Sequence, residues 1–109
     1  MSQPFEELAE LDRLIHEPAR LAILTALNAC RSADFLYLQR LTGLTKGNLS
    51  SHTAKLEAAG LVRVDKTFER KIPVTRLSLT KAGRERIDQH WRQLDALRRR
   101  SVQWRLDGS

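Results

Sequence analysis

Hydrophobic residues in the first half of the chain recur at three- and four-residue spacing, which is typical of amphipathic helices. This pattern predicts a first helix from Pro4 to about Ile15 and a second, more apolar helix from Pro18 to Asn28. It also predicts a third helix between Asp34 and Gly43 and a fourth between Thr45 and Gly60. The first half of the chain is therefore expected to form four helices.

Short polar residues and glycines mark the ends of the third and fourth helices. Asp34 and Thr45 are suited to N-cap positions, and Gly43 and Gly60 stand where helices commonly end. Only a short turn, roughly residues 42–44, separates the two helices. In the third helix, the side chains expected to face inward are Phe35, Leu38 and Leu41.

Beyond Gly60 the pattern changes to an alternation with period two, which is typical of strands. Residues 61–65 and 74–79 form the two alternating segments. The segment between them, from Lys66 to Pro73, is mostly polar and basic, and we expect it to be too long for a two-residue turn. The sequence therefore predicts a hairpin with an extended tip.

A helical run from Lys81 to about Arg100 follows the hairpin, and residues 101–109 are expected to form a tail. One stripe of this last helix is apolar and carries Ile87, Trp91, Leu94 and Leu97. The chain of 109 residues has the size of one domain, so we predict a single domain over residues 1–109. Its fold class is mainly α with a small β-hairpin, that is, α+β.

The net charge narrows the class of partner. The formal charge is +6, from 19 Lys and Arg against 13 Asp and Glu, and it favours a polyanion. Nucleic acid comes first among polyanions and an anionic membrane second. Apolar runs are too short to span a bilayer and Met1–Glu10 does not resemble a signal peptide, so we expect a soluble, cytoplasmic protein.

Two helices joined by a short turn, the second rich in small polar residues, are typical of a helix-turn-helix that presents its second helix to a DNA major groove. Asn48 can offer its amide to adenine, and Lys46 can reach guanine or phosphate. The candidate DNA contacts on or next to this helix are Thr45, Lys46, Asn48, Ser50, Ser51, His52 and Lys55. An alternative interpretation is that Thr45, Ser50 and Ser51 only cap and solubilise the helix.

The hairpin favours the DNA-binding interpretation. Lys66, Arg70 and Lys71 cluster at its predicted tip, opposed by Asp65 and Glu69 alone. A basic hairpin beside a reading helix is expected of a wing that lies on phosphates or in a minor groove. We therefore add Lys66, Arg70 and Lys71 to the candidate DNA contacts.

Three segments resemble compact winged helix-turn-helix transcriptional regulators of the MarR and ArsR families. They are H-E-P-A-R-L-A-I-L at 16–24, L-T-K-G-N-L-S-S-H-T-A-K-L-E-A-A-G-L-V at 44–62 and T-R-L-S-L-T-K-A-G at 75–83. The resemblance implies that the helix bearing Lys46 to His52 reads the major groove and that the wing with Arg70 and Lys71 contacts the backbone or minor groove. It also implies a homodimer that binds a palindromic operator, which we expect to act as a repressor.

The terminal helices supply a second reason to expect a dimer. A closing helix of this length is too long to bury entirely against a small domain, and the first helix carries a matching apolar stripe. The predicted dimer interface comprises Phe5, Leu8, Leu11, Ile87, Trp91, Leu94 and Leu97. The alternative is a monomer in which the first helix folds back over the last.

Other classes of protein lack their sequence signatures. No nucleophile elbow, phosphate-binding loop or zinc-protease motif is present, so we expect neither an enzyme nor a cofactor. His16, His52 and His90 are scattered along the sequence and predict no metal site. A protein-interaction module built on the same fold remains the alternative function, and the basic wing counts against it.

Regulation by a ligand is less well defined by the sequence. Many MarR relatives bind an aromatic effector, and an apolar region near Leu14, Trp91 and Leu94 could form a small pocket, although Trp91 is better explained as dimer core. An effector of unknown identity is thus a possible partner. Cys30 is the single cysteine and is expected to be a buried thiol.

Overall fold

The computed structural model describes residues 5–107, over which the chain forms five helices and three strands. In chain order these are α1 (Glu6–Ala9), α2 (Pro18–Cys30), β1 (Ser32–Asp34), α3 (Phe35–Thr42), α4 (Lys46–Ala58), β2 (Val62–Glu69), β3 (Ile72–Leu79) and α5 (Lys81–Leu106). The fold is mainly helical with a small antiparallel sheet, as the sequence predicts. None of these helices is both long and apolar enough to cross a membrane.

The first helix is much shorter than predicted, because α1 ends at Ala9. Further along, the Asp12 carboxylate accepts a hydrogen bond from the Leu14 N–H at 2.9 Å, a local turn that competes with helix formation. The segment after α1 still buries Leu11 and Ile15. Pro4, where the predicted helix began, lies outside the described residues.

Side-chain caps begin α3 and α4 as predicted. Asp34 accepts from the Tyr37 N–H and Thr45 from the Asn48 N–H, while Gly43 ends α3 in the left-handed conformation at φ 69°. The prediction for Leu41 is wrong, since 49% of it is exposed. It borders a shallow groove against the small side chains of α2, which are too short to cover it.

The sheet contains one strand more than predicted, in the order β1-β3-β2. β1 pairs with β3 through Ser32 to Asp34, a segment too short to show an alternating pattern in the sequence. The prediction of an extended hairpin tip is wrong. The strands pair up to Glu69 and Ile72, so only Arg70 and Lys71 form the turn.

The root of the hairpin is fixed to the start of α5 by backbone contacts. The Thr80 hydroxyl donates to the Gly60 carbonyl at 2.6 Å and accepts from the Gly83 N–H at 3.0 Å. A Cβ on Gly83 would lie only 2.0 Å from the Leu61 carbonyl oxygen. Glycine at this position therefore permits α5 to pack directly against the backbone that leads into the hairpin.

The core lies between α2, α4, the sheet and the first half of α5. Its fully buried side chains include Ile23, Leu27, Leu49, Leu56 and Ile87. Beyond this core α5 continues to Leu106, so the segment from 101 onward that was predicted as a tail is largely helical, while residues 108–109 lie outside the described residues. The projecting helix makes the molecule 64 Å long and only 23 × 22 Å across.

Candidate nucleic-acid interface

Helix α4 has one buried and one exposed face. Leu49 and Leu56 are fully buried and Thr53 is 5% exposed, with its hydroxyl donating to the Leu49 carbonyl at 2.8 Å. The predicted DNA contacts on the opposite face are all exposed, namely Lys46, Asn48, Ser50, Ser51 and Lys55. Burial of the apolar side thus leaves small polar and cationic groups facing solvent.

Thr45 has a structural role that the sequence also predicted. Its side-chain oxygen accepts from the Asn48 N–H at 3.1 Å and so satisfies one of the free amides of the first turn. The residue is nevertheless exposed, so capping does not remove it from the surface.

The wing ends in a tight turn of two basic residues. Arg70 and Lys71 have positive φ values of 52° and 65°, the conformation of a type I′ turn, which matches the twist of antiparallel strands. This turn favours Asn and Gly, because side chains with a Cβ are strained at positive φ. The chain therefore places two cations at the tip of the wing despite their poor fit to the turn.

The acidic residues of the hairpin are neutralised by arginines of the strands. Glu69 accepts from Arg76 Nε at 3.2 Å and from Nη2 at 2.9 Å, and Arg63 Nε lies 3.1 Å from Asp65. Among residues 5–107, the ion pairs include none of the predicted DNA-binding cations Lys46, Lys55, Lys66, Arg70 and Lys71. Their charge is available to an external anion.

The exposed face of α4 and the wing meet in one groove. Lys46, Ser50 and Glu57 from α4 and Lys66 from β2 line this space of about 600 Å³, together with the apolar side chains of Phe35 and Val64. The structure therefore brings Lys46, Ser50 and Lys66, which belong to two different elements, to one groove. Arg70 and Lys71 project beyond the groove at the end of the same hairpin.

His52 differs from the other predicted contacts, because its ring packs against the start of α2. Its Nδ1 lies 3.2 Å from Arg20 Nη1 and 3.8 Å from Glu17 Oε2, and the residue is half-buried. Arg20 also donates to the carbonyls of Leu14 at 2.6 Å and Arg13 at 3.1 Å. These contacts connect α4 to the segment before α2, so His52 and Arg20 position α4.

Sequence reasoning missed the part played by Glu17 and Arg20. Burial raises the pKa of Glu17, but the N–H groups of Arg20 and Ala19 and the charges of His52 and Arg20 outweigh it and hold the pKa below its ordinary value of 4.5. Glu17 is the N-cap of α2 and accepts from the Arg20 N–H at 2.8 Å. An acidic residue just before Pro18 was the available signal, because Pro is common at the first helical position.

Comparison with known proteins agrees with this geometry. The sequence profile of a family described as a winged helix DNA-binding domain matches residues 19–98, most of the chain. This chain belongs to the winged helix DNA-binding family.

Related winged helix proteins include several with solved structures. A transcriptional regulator homologue from Pyrococcus horikoshii OT3 is 35% identical, over 84% of this chain and 93% of that one, with a TM-score of 0.78. A MarR-family regulator from Silicibacter pomeroyi is 26% identical, over 92% of this chain and 64% of that one, with a TM-score of 0.66. An uncharacterized protein of Methanocaldococcus jannaschii is 32% identical over 66% of this chain and 78% of its own length. Family and fold together indicate a DNA-binding transcriptional regulator.

The structure of this winged helix regulator brings together two histidines that are distant in sequence. His16 Nδ1 and His90 Nε2 are 3.1 Å apart, and His90 is only 3% exposed. Burial lowers the pKa of His90, the neighbouring His16 lowers it further, and Asp12 partly opposes this, so the pKa lies below 6.5. Within residues 5–107 no group of three or more His, Cys, Asp or Glu is arranged to hold a metal ion.

The predicted dimer residues are distributed between core and surface. Leu11, Ile87 and Leu97 are buried against their own chain, and Ile87 belongs to the central core. Phe5 and Leu94 are half-buried, whereas Leu8 and Trp91 are each 45% exposed. Fewer apolar side chains of α5 are therefore exposed near the core than predicted. The exposed apolar surface extends further along the helix than predicted, to Trp104 and Leu106.

Contacts within one chain connect the N-terminal segment to α5. The rings of Phe5 and Trp104 meet edge to face at 5.9 Å, Glu7 lies 3.3 Å from Arg100, and Asp12 pairs with Arg86. The first helix thus folds back over the last, as in the monomer alternative, and still leaves apolar side chains exposed at the far end of α5.

Proposed function

We propose that this regulator binds a palindromic operator as a homodimer, with α4 in the major groove and the wing on the adjacent backbone or minor groove. The observation that carries the proposal is the shared surface of α4 and the wing, where the predicted DNA-binding cations have no ion-pair partner among residues 5–107 while Asp65 and Glu69 of the wing strands are paired with arginines. Such a surface should bind most strongly to a ligand with regularly spaced negative charges, as in duplex DNA.

Individual side chains have different roles in this proposal. Asn48 reads a base edge, because it is exposed and its amide can pair bidentately with adenine. Lys66, Arg70 and Lys71 bind phosphates and set affinity and register. His52 acts through Arg20 and Glu17 by holding the middle of α4 against the start of α2.

The projecting half of α5 supports the dimer. This helix has 26 residues, about 39 Å, and exposes Trp91, Trp104 and Leu106 by 45%, 42% and 71%. Large apolar side chains that stay exposed along a long helix favour a contact between subunits. Two subunits related by a dyad would place their reading helices about one DNA turn apart.

We propose that the bound dimer represses transcription, because a protein that occupies adjacent grooves covers DNA that polymerase must contact. A reporter controlled by the selected operator tests this point. Repression that is lost on deletion of the operator supports the proposal, whereas activation contradicts it.

The experiment that tests DNA binding is selection from a randomised duplex pool, with affinity measured across salt concentrations and mass measured in solution. We expect a palindromic sequence, a dimer and a steep salt dependence. Weak, sequence-independent binding would instead favour the protein-interaction alternative.

Two variants assign the roles. Asn48→Ala should relax preference at one base pair of each half-site by about 1–3 kcal/mol. Gln89→Ala removes an exposed amide from α5 and is the matched control, with no expected effect on sequence preference.

Trp104→Glu should shift the protein to a monomer and reduce affinity for the palindrome to that for a half-site. A dimer that persists would contradict the proposed interface.

A further inference from the structure

The wing carries an exposed aromatic residue that the fold does not explain. Phe68 is 72% exposed, although it stands next to the last residue of β2. It pairs across the sheet with Pro73, one position before the Glu69–Ile72 pair that closes the turn. Ile72, on the neighbouring strand, is also 64% exposed. The tip of the wing therefore combines apolar side chains with the two cations of the turn.

Strand alternation shows which way Phe68 faces. Residues 62, 64, 66 and 68 share one face of β2, and on that face Val62 is buried and Lys66 lines the groove with α4. Phe68 continues this face past the end of the core, so it projects from the same side of the wing as the proposed DNA surface. Arg70 and Lys71 follow immediately.

The charge of the neighbours identifies the partner. A protein surface or a ligand that only covered Phe68 would have to accommodate three cations, Lys66, Arg70 and Lys71, none of which has an ion-pair partner among residues 5–107. Duplex DNA can both neutralise the cations and cover Phe68, since its phosphates border a groove whose walls are apolar sugars. Proteins that bend DNA commonly insert an apolar side chain between base steps of the minor groove while cations hold the backbone.

We propose that Phe68 enters the minor groove beside the site read by α4 and bends the duplex there. This inference rests on the proposed function. The minor groove is about 6 Å wide, too narrow for a two-stranded ribbon, so side chains at the wing tip enter and the strands remain outside. The energy needed to open a base step depends on its sequence, and pyrimidine–purine steps such as TA deform most easily. Phe68 therefore adds a preference for a flexible step about half a helical turn from the bases read by α4.

The test uses the full chain and the operator selected for it. Wild type, Phe68→Ala and Phe68→Leu are compared for affinity across salt concentrations and for DNA bending by energy transfer between the duplex ends. We expect wild type to bend DNA by at least about 20°. Phe68→Ala should bind about tenfold more weakly, with the same salt dependence and a reduced bend. Phe68→Leu should retain part of the affinity and part of the DNA bend.

Altering the DNA provides the second arm. Replacing the flexible step under the wing by a stiff A-tract should lower the affinity of wild type for the operator and leave the affinity of Phe68→Ala almost unchanged. An unchanged bend and affinity in Phe68→Ala would overturn the inference, as would an equal loss on flexible and stiff operators. A lower thermal stability of Phe68→Ala together with unchanged DNA bending would also overturn it, and would assign Phe68 to cross-strand packing with Pro73.

The outcomes separate this inference from the proposed function. If wild type selects no operator, the proposed function fails and the role of Phe68 fails with it. If wild type selects an operator but leaves it straight, the proposed function stands and the role of Phe68 fails alone.

Discussion

Basic side chains at the two ends of the molecule differ in what they contact. On α5, Asp95 pairs with Arg98 at 3.1 Å and with Arg99 at 2.9 Å, and Asp12 pairs with Arg86. At the other end, the cations of the wing tip have no carboxylate partner among residues 5–107, while the acids of the wing strands are paired with arginines. Three arginines of α5 therefore have carboxylate partners, whereas the cations of the wing tip leave free charge.

This difference shows how one small protein can separate stability from binding. Exposed ion pairs contribute little to folding, about 0–1 kcal/mol each, so neither set of cations determines the fold. A free cation, however, gains the full benefit of a phosphate because it gives up no internal partner. Variants of the wing tip should consequently change DNA binding without changing stability, and variants where α5 joins the wing should do the reverse.

The largest effect, on the free energy of unfolding, is expected where the start of α5 packs against the root of the hairpin. Gly83→Ala should lower the free energy of unfolding by about 1–3 kcal/mol or more, because the new Cβ meets the Leu61 carbonyl and the backbone must move. Gly47→Ala in α4 is the matched control. Apart from adjacent residues and the backbone of α4 itself, no atom lies within 4 Å of its added Cβ, so helix propensity should raise stability by up to about 1 kcal/mol. Urea denaturation measures both, and equal changes would contradict the close packing at Gly83.

A smaller effect, confined to binding, is expected from Arg70→Asn/Lys71→Gly. The double variant removes both cations but fits a type I′ turn better, so stability should hold or rise while affinity falls roughly tenfold for each phosphate contact at 0.1 M salt. The slope of log affinity against log salt should decrease by about 0.9 for each contact.

Arg99→Ala is the matched control for that experiment. It removes a cation that is paired with Asp95 and should leave the salt slope unchanged. A drop equal to that of the wing variant would show that the arginines of α5 also bind DNA and would break the contrast between the two ends.

The smallest effect concerns pH and the pair of histidines on the α5 side. Burial and His16 hold the pKa of His90 below 6.5, so the unfolded chain binds a proton that the folded chain does not. Stability should be greatest above pH 6.5 and decrease as pH falls below it. Asp12 and Glu17, whose pKa values lie below 3.8 and 4.5, become protonated only at lower pH. In His90→Gln the free energy of unfolding should decrease less between pH 7.5 and 5.5 than in wild type, as measured by denaturation at each pH.

Much of the proposed interface was predictable because its elements are determined locally. The caps at Asp34 and Thr45, the glycine at 43 and the apolar spacing of α4 involve residues only a few positions apart. The prediction failed for the hairpin tip because polarity suggested a loop, whereas pairing of β2 with β3 extended the strands to Glu69 and Ile72. Positive φ values at Arg70 and Lys71 could not be expected, since neither residue favours them.

The winged helix class, the exposed polar face of α4 and the excess of cations in the wing follow from the sequence alone, because periodicity, capping and charge are local properties. Three features depend on the packing of distant segments: β1 joins the sheet, Ile87 and Leu97 are buried in their own chain, and His52 contacts α2. It also brought His16 within 3.1 Å of His90 across 74 positions of sequence. The physical reason is that burial and pairing depend on which distant segments pack together, and a pattern along one segment carries no record of its partner.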